Sequence, residues 1–136
     1  MFTDGELAYL AAQPLGRLAT VQPNGTLQNS PVGFYHNAQR QAIDIGGHNM
    51  QASQKFRNVA DNSHVAFVVD DIASIDPWRV RCLEIRGHAE AITDPEDSAA
   101  TVPGAIIRIH PRRIISFGID PEHLSLGKRN VTDAPS

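Results

Sequence analysis

Hydrophobic and polar residues alternate along most of this chain with a period of two, the pattern that predicts β-strands. The alternating segments cover residues 16–21, about 26–35, 42–45, 64–70 and 79–93, and then 105–118 with an interruption at Pro111. Most connections between them are short, which favours antiparallel pairing. We therefore predict a mainly β protein with helices (α+β), built as a six-stranded antiparallel barrel, because closure removes exposed sheet edges.

Three of these segments carry further expectations. Residues 64–70 are almost continuously apolar, which predicts a strand buried on both faces, and residues 71–78 are predicted to form a loop. Pro23-Asn24-Gly25 predicts a tight turn, because Asn and Gly tolerate the positive φ that hairpins need. Pro31 has no N–H to donate, so its strand must place it at a sheet edge, a bulge or a ligand.

Two segments have a helical period instead. Thr3 and Glu6 form a capping box that predicts a helix start, and Pro14 ends this first helix. Its apolar face is predicted to be Leu7, Leu10 and Ala11. The second helix is predicted over residues 50–60, with Asn49 as its N-cap. Its apolar face is predicted to be Ala52, Phe56, Val59 and Ala60.

Length and composition narrow the class of protein. A chain of 136 residues with 41% hydrophobic residues predicts one domain over residues 1–136. The polar tail after about residue 120 has no clear period, which is typical of disorder. No apolar run approaches the roughly 18 residues of a membrane span and no secretory signal is recognisable, so a cytoplasmic protein is expected. A net charge of −3 argues against a nucleic-acid partner.

Common catalytic signatures are missing from the sequence. It contains no Gly-x-Ser-x-Gly elbow, no His-Glu-x-x-His pair and no Rossmann or P-loop glycine run. The histidines are scattered and Cys82 is the single cysteine, so no metal site is predicted. No catalytic residue can be assigned, although Tyr35, His48 and Arg79 are candidates to protonate or polarise a substrate, a role that water could also fill.

One segment has the features of a phosphate site. Gly46 and Gly47 leave a predicted strand just before the second helix, and that helix carries Ser53, Gln54 and Lys55. A helix N-terminus offers free N–H groups and a partial positive charge to an anion, and a glycine lets a ligand approach the backbone closely. From the spacing alone, an ordinary solvated helix surface is the favoured interpretation, and a phosphate site is the alternative.

Taken in order, these segments resemble the split-barrel flavoprotein family whose best-known member is pyridoxamine 5'-phosphate oxidase. In that family a Ser-Arg-Lys run binds the flavin phosphate; here the run reads Ser53-Gln54-Lys55. Residues 111–118 resemble the closing strand of the family, and Phe117 stands where an aromatic residue reaches the flavin. A closer similarity is to the actinobacterial branch that uses the deazaflavin coenzyme F420, through residues 29–34, 55–59, 68–71, 77–79 and 84–90.

The resemblance implies a split barrel and an oxidoreductase that transfers hydride between F420 and a conjugated organic acceptor. It implies that the cofactor ring lies against Ser30, Pro31, Val32 and Gly33, and that a homodimer holds two cofactor sites, each built from both chains. Two alternatives stay open: an FMN-dependent oxidase or reductase on the same fold, and a non-catalytic protein that binds a cofactor or tetrapyrrole.

Overall fold

The segments that alternate with a period of two fold into a single antiparallel sheet. The computed structural model describes residues 1–120 and 127–131, and these contain eight strands, two α-helices and one short 3-10 turn at Met50–Ala52. The strands are β1 Gly16–Val21, β2 Leu27–Val32, β3 Tyr35–Asn37, β4 Ala42–Ile45, β5 His64–Ser74, β6 Arg79–Ile92, β7 Ile106–Phe117 and β8 Gly127–Asn130. The helices are α1 Asp4–Ala12 and α2 Gln54–Asp61.

The strand order makes the sheet curl into a split barrel. The order is β2-β1-β5-β6-β7-β4-β3, and β8 pairs with β7 beside β4. The two end strands, β2 and β3, are joined only by Gly33 and Phe34, a link that reaches at most about 11 Å between Cα atoms. The end of β2 and the start of β3, which are the two end strands of the sheet, are therefore held close together. The predicted split-barrel class is confirmed, with eight strands in the described residues instead of six.

The interior of the barrel is filled by the inward-facing residues of the long strands. They are aliphatic or aromatic and almost completely buried: Leu18, Ile43, Ile45, Phe67, Val69, Leu83, Ile85, Ile107, Ile109 and Ile114. On β5 only one face is buried, because Ala66 and Val68, which point outward, remain half-exposed. The prediction that this strand is buried on both faces is therefore wrong for the isolated chain.

Pairing register corrects three predicted boundaries. The second predicted strand breaks at Gly33, so that its last part becomes β3. The predicted loop at residues 71–78 is the tip of a long hairpin, since β5 continues to Ser74 and β6 begins at Arg79. β7 runs through Pro111 without a break, because a register shift opposite Gly87 absorbs the proline.

Both helices begin as capped helices, with differences in detail. The capping box of Thr3 and Glu6 is present in α1. Its buried residues are Glu6, Tyr9 and Leu10, so the predicted apolar face is wrong for Leu7 and Ala11. The predicted second helix is divided into the 3-10 turn and α2.

The cap of α2 also differs from the prediction. Ser53 is its N-cap, with an Oγ that accepts from the Phe56 N–H at 3.3 Å. Asn49 takes a left-handed φ of 54° and makes no capping bond with its side chain, so the prediction that it caps the helix is wrong.

Part of the tail that was expected to be disordered is ordered. β8 pairs with β7 from Arg113↔Asn130 to Ser116↔Gly127. Arg129 of β8 forms an ion pair with the buried carboxylate of Glu6, which ties the strand to α1. The rest of that expectation concerns residues 121–126 and 132–136, which lie outside the described residues.

No helix in the described part of the chain is both long enough and apolar enough to cross a membrane.

Candidate functional site

A buried amide connects α2 to the edge of the sheet. The Asn58 side chain is fully buried, and its Nδ2 donates to Thr20 Oγ1 and to Gln28 Oε1, both at 3.0 Å. Gln54 Nε2 in turn donates to Asn58 Oδ1 at 2.7 Å. These bonds connect the middle of α2 to β1 and to Gln28 of β2, two residues from Ser30, while the body of α2 packs against β6 and β1. The helix that carries one predicted group of cofactor residues is therefore bonded to the strand that carries the other.

Ser30 carries an unsatisfied hydroxyl at this place. It pairs with Leu18, which is fully buried, so both side chains point into the barrel. Its Oγ is buried and has no hydrogen-bond partner among the residues that the structure describes. A buried hydroxyl without a partner is rare in folded proteins and is a position where a ligand atom could complete the bond.

The neighbours of Ser30 form an open edge. Pro31 is exposed on β2, the strand at the end of the sheet, so the expectation of an edge position is confirmed. Val32 is buried in the core. A Cβ added to Gly33 would have no atom within 4 Å, so the backbone there is accessible to a flat ligand.

The two glycines after β4 have different functions. A Cβ on Gly46 would lie 2.7 Å from the Cβ of Ala100, so this glycine is required for packing. At Gly47 the nearest atom would be Met50 Cε at 3.7 Å, an ordinary contact. Of the pair, Gly47 alone leaves room for a ligand.

The three predicted phosphate residues on α2 also differ from one another. The Ser53 hydroxyl donates to the Met50 carbonyl at 2.6 Å and caps the helix. The Gln54 side chain is bonded to Asn58 and accepts from Arg57 at 2.8 Å. Lys55 is half-buried and makes no hydrogen bond or ion pair within residues 1–120 and 127–131. Its ammonium is therefore the group that is available for an anion.

Phe117 lies apart from the other predicted residues. It pairs with Cys82 and faces the outside of the barrel, whereas Ser30 faces the inside. β1, β5 and β6 separate its strand from β2 in the strand order. Because Phe117 and Ser30 lie on opposite faces of the sheet, a single chain does not place both side chains against the same ligand. A single chain therefore does not bring Phe117 to the β2 edge.

A second cavity adjoins Phe117, beneath the tip of the β5–β6 hairpin. It has a volume of about 630 Å³ and a mostly apolar lining, and we call it the hairpin cavity. The residues that line it are Ala73, Trp78, Arg79, Val80, Arg81, Phe117, Gly118 and Ile119. Sequence reasoning treated residues 71–78 as a loop and so could not find it.

The three candidates for polarising a substrate are in different places. Tyr35 Oη lies 2.8 Å from Thr101 Oγ1, on the side of the barrel where β3 ends the sheet. His48 is exposed in the turn before α2. Arg79 lines the hairpin cavity. Cys82 is half-buried, and burial, followed by the carboxylates of Asp70 and Glu84, raises the pKa of its thiol, which disfavours a nucleophilic thiolate.

Sequence reasoning also missed an ionic cluster next to the hairpin cavity. Asp71 accepts from Tyr9 Oη at 2.8 Å and from Arg81 Nε at 2.9 Å, and Arg81 stacks over the Tyr9 ring. The hydrogen bond from Arg81 lowers the pKa of Asp71, while burial and the Asp71 carboxylate raise the pKa of Tyr9. The phenol therefore stays protonated and the Arg81 charge is balanced.

Three histidines form a row that only the strand register reveals. His64 pairs with His88 and His88 pairs with His110, on the outer face of β5, β6 and β7. Ser63 Oγ lies 3.0 Å from His88 Nδ1, and His110 Nε2 lies 2.6 Å from Glu90 Oε2. In the described part of the chain, no group of three or more His, Cys, Asp or Glu side chains is arranged to hold a metal ion.

Comparison with known sequences gives a consistent result. A family model described as pyridoxamine 5'-phosphate oxidase matches residues 2–119. A curated protein from Streptomyces rimosus, a 5a,11a-dehydrotetracycline/5a,11a-dehydrooxytetracycline reductase, is 47% identical over 134 residues. The alignment covers 96% of this chain and 94% of that protein.

Solved structures share the fold at lower identity. A conserved hypothetical protein from Mycobacterium tuberculosis has a TM-score of 0.69 with 21% identity, and the match covers 93% of each chain. An FAD-binding protein from Mycobacterium smegmatis has a TM-score of 0.63 with 21% identity, covering 85% of this chain and 93% of that one. At this identity the likeness concerns the fold.

Proposed function

The chain belongs to the pyridoxamine 5'-phosphate oxidase family, and on that premise we propose that it is an F420-dependent reductase of a fused-ring enone. The observation that carries the proposal is the 47% identity, along almost the whole of both chains, to a reductase of dehydrotetracyclines. The 5a,11a double bond in the name of that relative is conjugated to carbonyl groups. Such a bond is a conjugated organic hydride acceptor, which is the class of acceptor that the family resemblance implies.

The described residues fit a phosphorylated ring cofactor between β2 and α2. Lys55 offers an unpaired ammonium for a phosphate, and Gly47 leaves space beside it. The hydroxyl of Ser30, which has no partner within the described residues, offers a hydrogen bond. Pro31, Val32 and Gly33 follow it along the strand edge, and the backbone is accessible at Gly33, where no side chain covers it. Ser53 and Gln54 would act mainly through the helix they stabilise, because their side chains already bond within it.

The choice of F420 over FMN depends on the phosphate residues. The flavin family uses an arginine in the middle of its phosphate run, whereas this chain has Gln54 there, bonded to Asn58 and Arg57. This leaves a single cation, Lys55, for the phosphate. Together with the motifs of the deazaflavin branch, this smaller number of cations at the phosphate favours F420.

The role of the protein is to bind, orient and exclude water around the reacting atoms. When bound, reduced F420 supplies a hydride, and a hydride reduces the electron-poor carbon of an enone. Lys55 would hold the phosphate, and the accessible backbone at Gly33 would hold the ring, which together would fix the orientation of the cofactor. A proton for the second carbon would come from water or from a donor such as Tyr35 or His48, whereas Arg79, which keeps its charge, could polarise a carbonyl of the acceptor.

We further propose that the working site is built in a homodimer. Phe117 faces outward four strands from β2, so it can complete the β2 edge only on a partner chain. The outer face of β1 and β5 carries the small side chains of Ala19, Ala66 and Val68, which form the floor of a shallow depression of about 290 Å³. A floor of this kind is suited to packing against a second barrel.

The proposal is tested by turnover under anaerobic conditions. Purified protein is mixed with reduced F420 and 5a,11a-dehydrotetracycline, and the oxidation of F420 is followed by absorbance while the product is identified by mass spectrometry. We expect loss of one double bond in the product for each F420 oxidised. The same mixture in air should form little peroxide, because a deazaflavin reacts poorly with oxygen.

Other outcomes would select one of the alternatives. Protein that contains FMN as purified, and that forms peroxide stoichiometrically in air, would favour the FMN-dependent oxidase. Protein that binds a cofactor or a tetrapyrrole but transfers no hydride to quinones or enones would favour a non-catalytic binding protein.

A further inference from the structure

The hairpin cavity has the properties of a substrate pocket that no comparison assigns. We propose that it binds the substrate to be reduced, and that Trp78 and Arg79 select flat, fused-ring compounds with an acidic enol or phenol. This inference rests on the proposed function, since it names the residues that recognise the substrate of that reaction.

The size and lining of the cavity fit such a ligand. Its volume of about 630 Å³ falls within the range of roughly 300–1,000 Å³ that is usual for small-molecule pockets. Ala73, Val80 and Ile119 supply apolar walls. Trp78 is 65% exposed at the hairpin tip, and the face of such a ring can stack on a flat ligand without first breaking a packed core.

The charges around the cavity distinguish an acidic ligand from a neutral one. Arg81 is balanced by Asp71, to which it donates through two nitrogen atoms. Arg79 makes no hydrogen bond or ion pair within the described ranges 1–120 and 127–131. Arg79 is therefore the cation that is available to an enolate or phenolate, and its planar guanidinium can bind two neighbouring oxygens at once.

In the proposed dimer, the floor of the cavity would adjoin the cofactor site on the β2 edge of the partner chain. Phe117 lines the cavity and is also the residue that the family resemblance places against the cofactor ring. Gly118, next to it, has a φ of +71°, and a Cβ there would collide with the Val80 carbonyl. Glycine is therefore required at this position, where the end of β7 passes close to the β6 backbone beside Phe117.

Equilibrium binding tests this site separately from turnover. Tetracycline is titrated into the full chain, with and without F420, by calorimetry and by quenching of Trp78, the single tryptophan of the chain. Trp78→Ala and Arg79→Gln should each weaken binding by about tenfold, the loss expected for a stacked ring or a charge-assisted hydrogen bond. Arg79→Lys should recover part of the affinity, because it keeps the charge.

The control is a neighbouring apolar side chain outside the cavity. Ile75 is 78% exposed at the same hairpin tip and does not line the cavity, so Ile75→Ala should leave tetracycline binding unchanged. All four substitutions concern exposed side chains, so circular dichroism and thermal melts should match the parent protein.

The results separate this inference from the proposed function. Unchanged affinity in Trp78→Ala and Arg79→Gln, or no binding of tetracycline by the parent protein, would overturn the pocket. If turnover persists with an unchanged KM in these variants, the reductase activity stands and the pocket is wrong. If the Trp78 and Arg79 variants bind tetracycline more weakly but the parent protein transfers no hydride, the pocket stands and the proposed function is wrong.

Discussion

Lys55 is the residue on which the cofactor assignment depends most. Lys55 is a half-buried residue at the start of α2, and its ammonium has no partner within the described residues. If it contacts the cofactor phosphate, Lys55→Ala removes a charge-assisted hydrogen bond that contributes roughly 1.5–3 kcal/mol. We expect F420 binding to weaken by about tenfold to a hundredfold, measured by fluorescence titration, while the fold is retained.

The chain offers a matched control for this substitution. Lys128 is the other lysine of the sequence and is exposed on β8, which pairs with β7 and not with β2. Lys128→Ala removes the same charge from the whole molecule and should leave F420 affinity unchanged. Equal losses in both variants would show a general effect of net charge and not a phosphate contact.

Ser30 should show opposite effects on stability and on binding. Its buried hydroxyl has no partner in the described chain, so Ser30→Ala removes an unsatisfied polar group without breaking a bond. The free energy of unfolding without cofactor should stay the same or rise by about 1 kcal/mol, whereas cofactor affinity should fall by about fivefold. Chemical denaturation and F420 titration of the same variant measure the two effects, and a marked loss of stability would contradict this account.

Residue chemistry explains which site residues could be predicted. Lys55 was recognisable because lysine is scarce in the chain and because it follows a glycine-rich strand exit. Whether Ser30 and Arg79 have hydrogen-bond partners is decided by which distant strands pack beside them. A linear sequence does not show this packing. The difference between Gly46 and Gly47 depends on Ala100, which is also remote in sequence.

At the scale of elements, α1 and β8 are joined by an ion pair between the buried carboxylate of Glu6 and the partly exposed Arg129, and this pair makes stability depend on pH. Burial raises the pKa of Glu6, but hydrogen bonds from Arg129 and the Thr3 N–H outweigh it and leave the pKa below its ordinary value of 4.5. The pKa of Asp44 is also lowered from its ordinary value of 3.8. Burial raises this pKa, but hydrogen bonds from Arg108 and Asn37 outweigh the effect of burial. A carboxylate with a lowered folded-state pKa stabilises the fold above its ordinary pKa and loses that contribution in acid.

We therefore expect the free energy of unfolding to fall as the pH drops below about 4.5. Glu6→Gln should lower stability near pH 7 by about 2 kcal/mol and should reduce the loss in acid. Urea denaturation at several pH values compares the two proteins. A variant whose pH dependence matches the parent protein would show that the Glu6–Arg129 pair does not contribute.

Elements were predicted well where the local signal was sufficient. β1 and β4 have their predicted bounds, because strict alternation and adjacent turn residues define them. The β5–β6 hairpin and the passage of β7 through Pro111 were missed, because pairing across the sheet overrides the polar and proline signals. β8 was missed because four polar residues form a strand only through pairing with β7.

The whole molecule is expected to work as a dimer of 14.8 kDa chains. Phe117 lies on the outer face and the β2 edge lies four strands away, so one barrel does not enclose a ring cofactor. Light scattering at micromolar concentration should give about twice the chain mass. Introducing a charge on the flat outer face, by Ala66→Glu, should shift the protein toward monomers and weaken F420 binding in parallel. A monomeric parent protein with full F420 affinity would contradict the shared site.

At this scale the sequence was most informative about the fold and least informative about the site. The barrel follows from alternation and short connections, which are local properties of the chain. The site requires the curl of the sheet, which brings the start of α2 to the edge strand through the Asn58 bridge to Thr20 and Gln28. That bridge joins residues that are 30 and 38 positions apart.

The most direct test of the central claim is a competitive titration of the apo protein with F420 and FMN. F420 fluorescence and FMN fluorescence are followed separately on the same preparation, with the Lys55→Ala variant beside the parent protein. The account predicts that F420 binds at least tenfold more tightly than FMN and that the variant loses most of this preference. Tighter binding of FMN, or binding of either cofactor that is indifferent to Lys55, would contradict it.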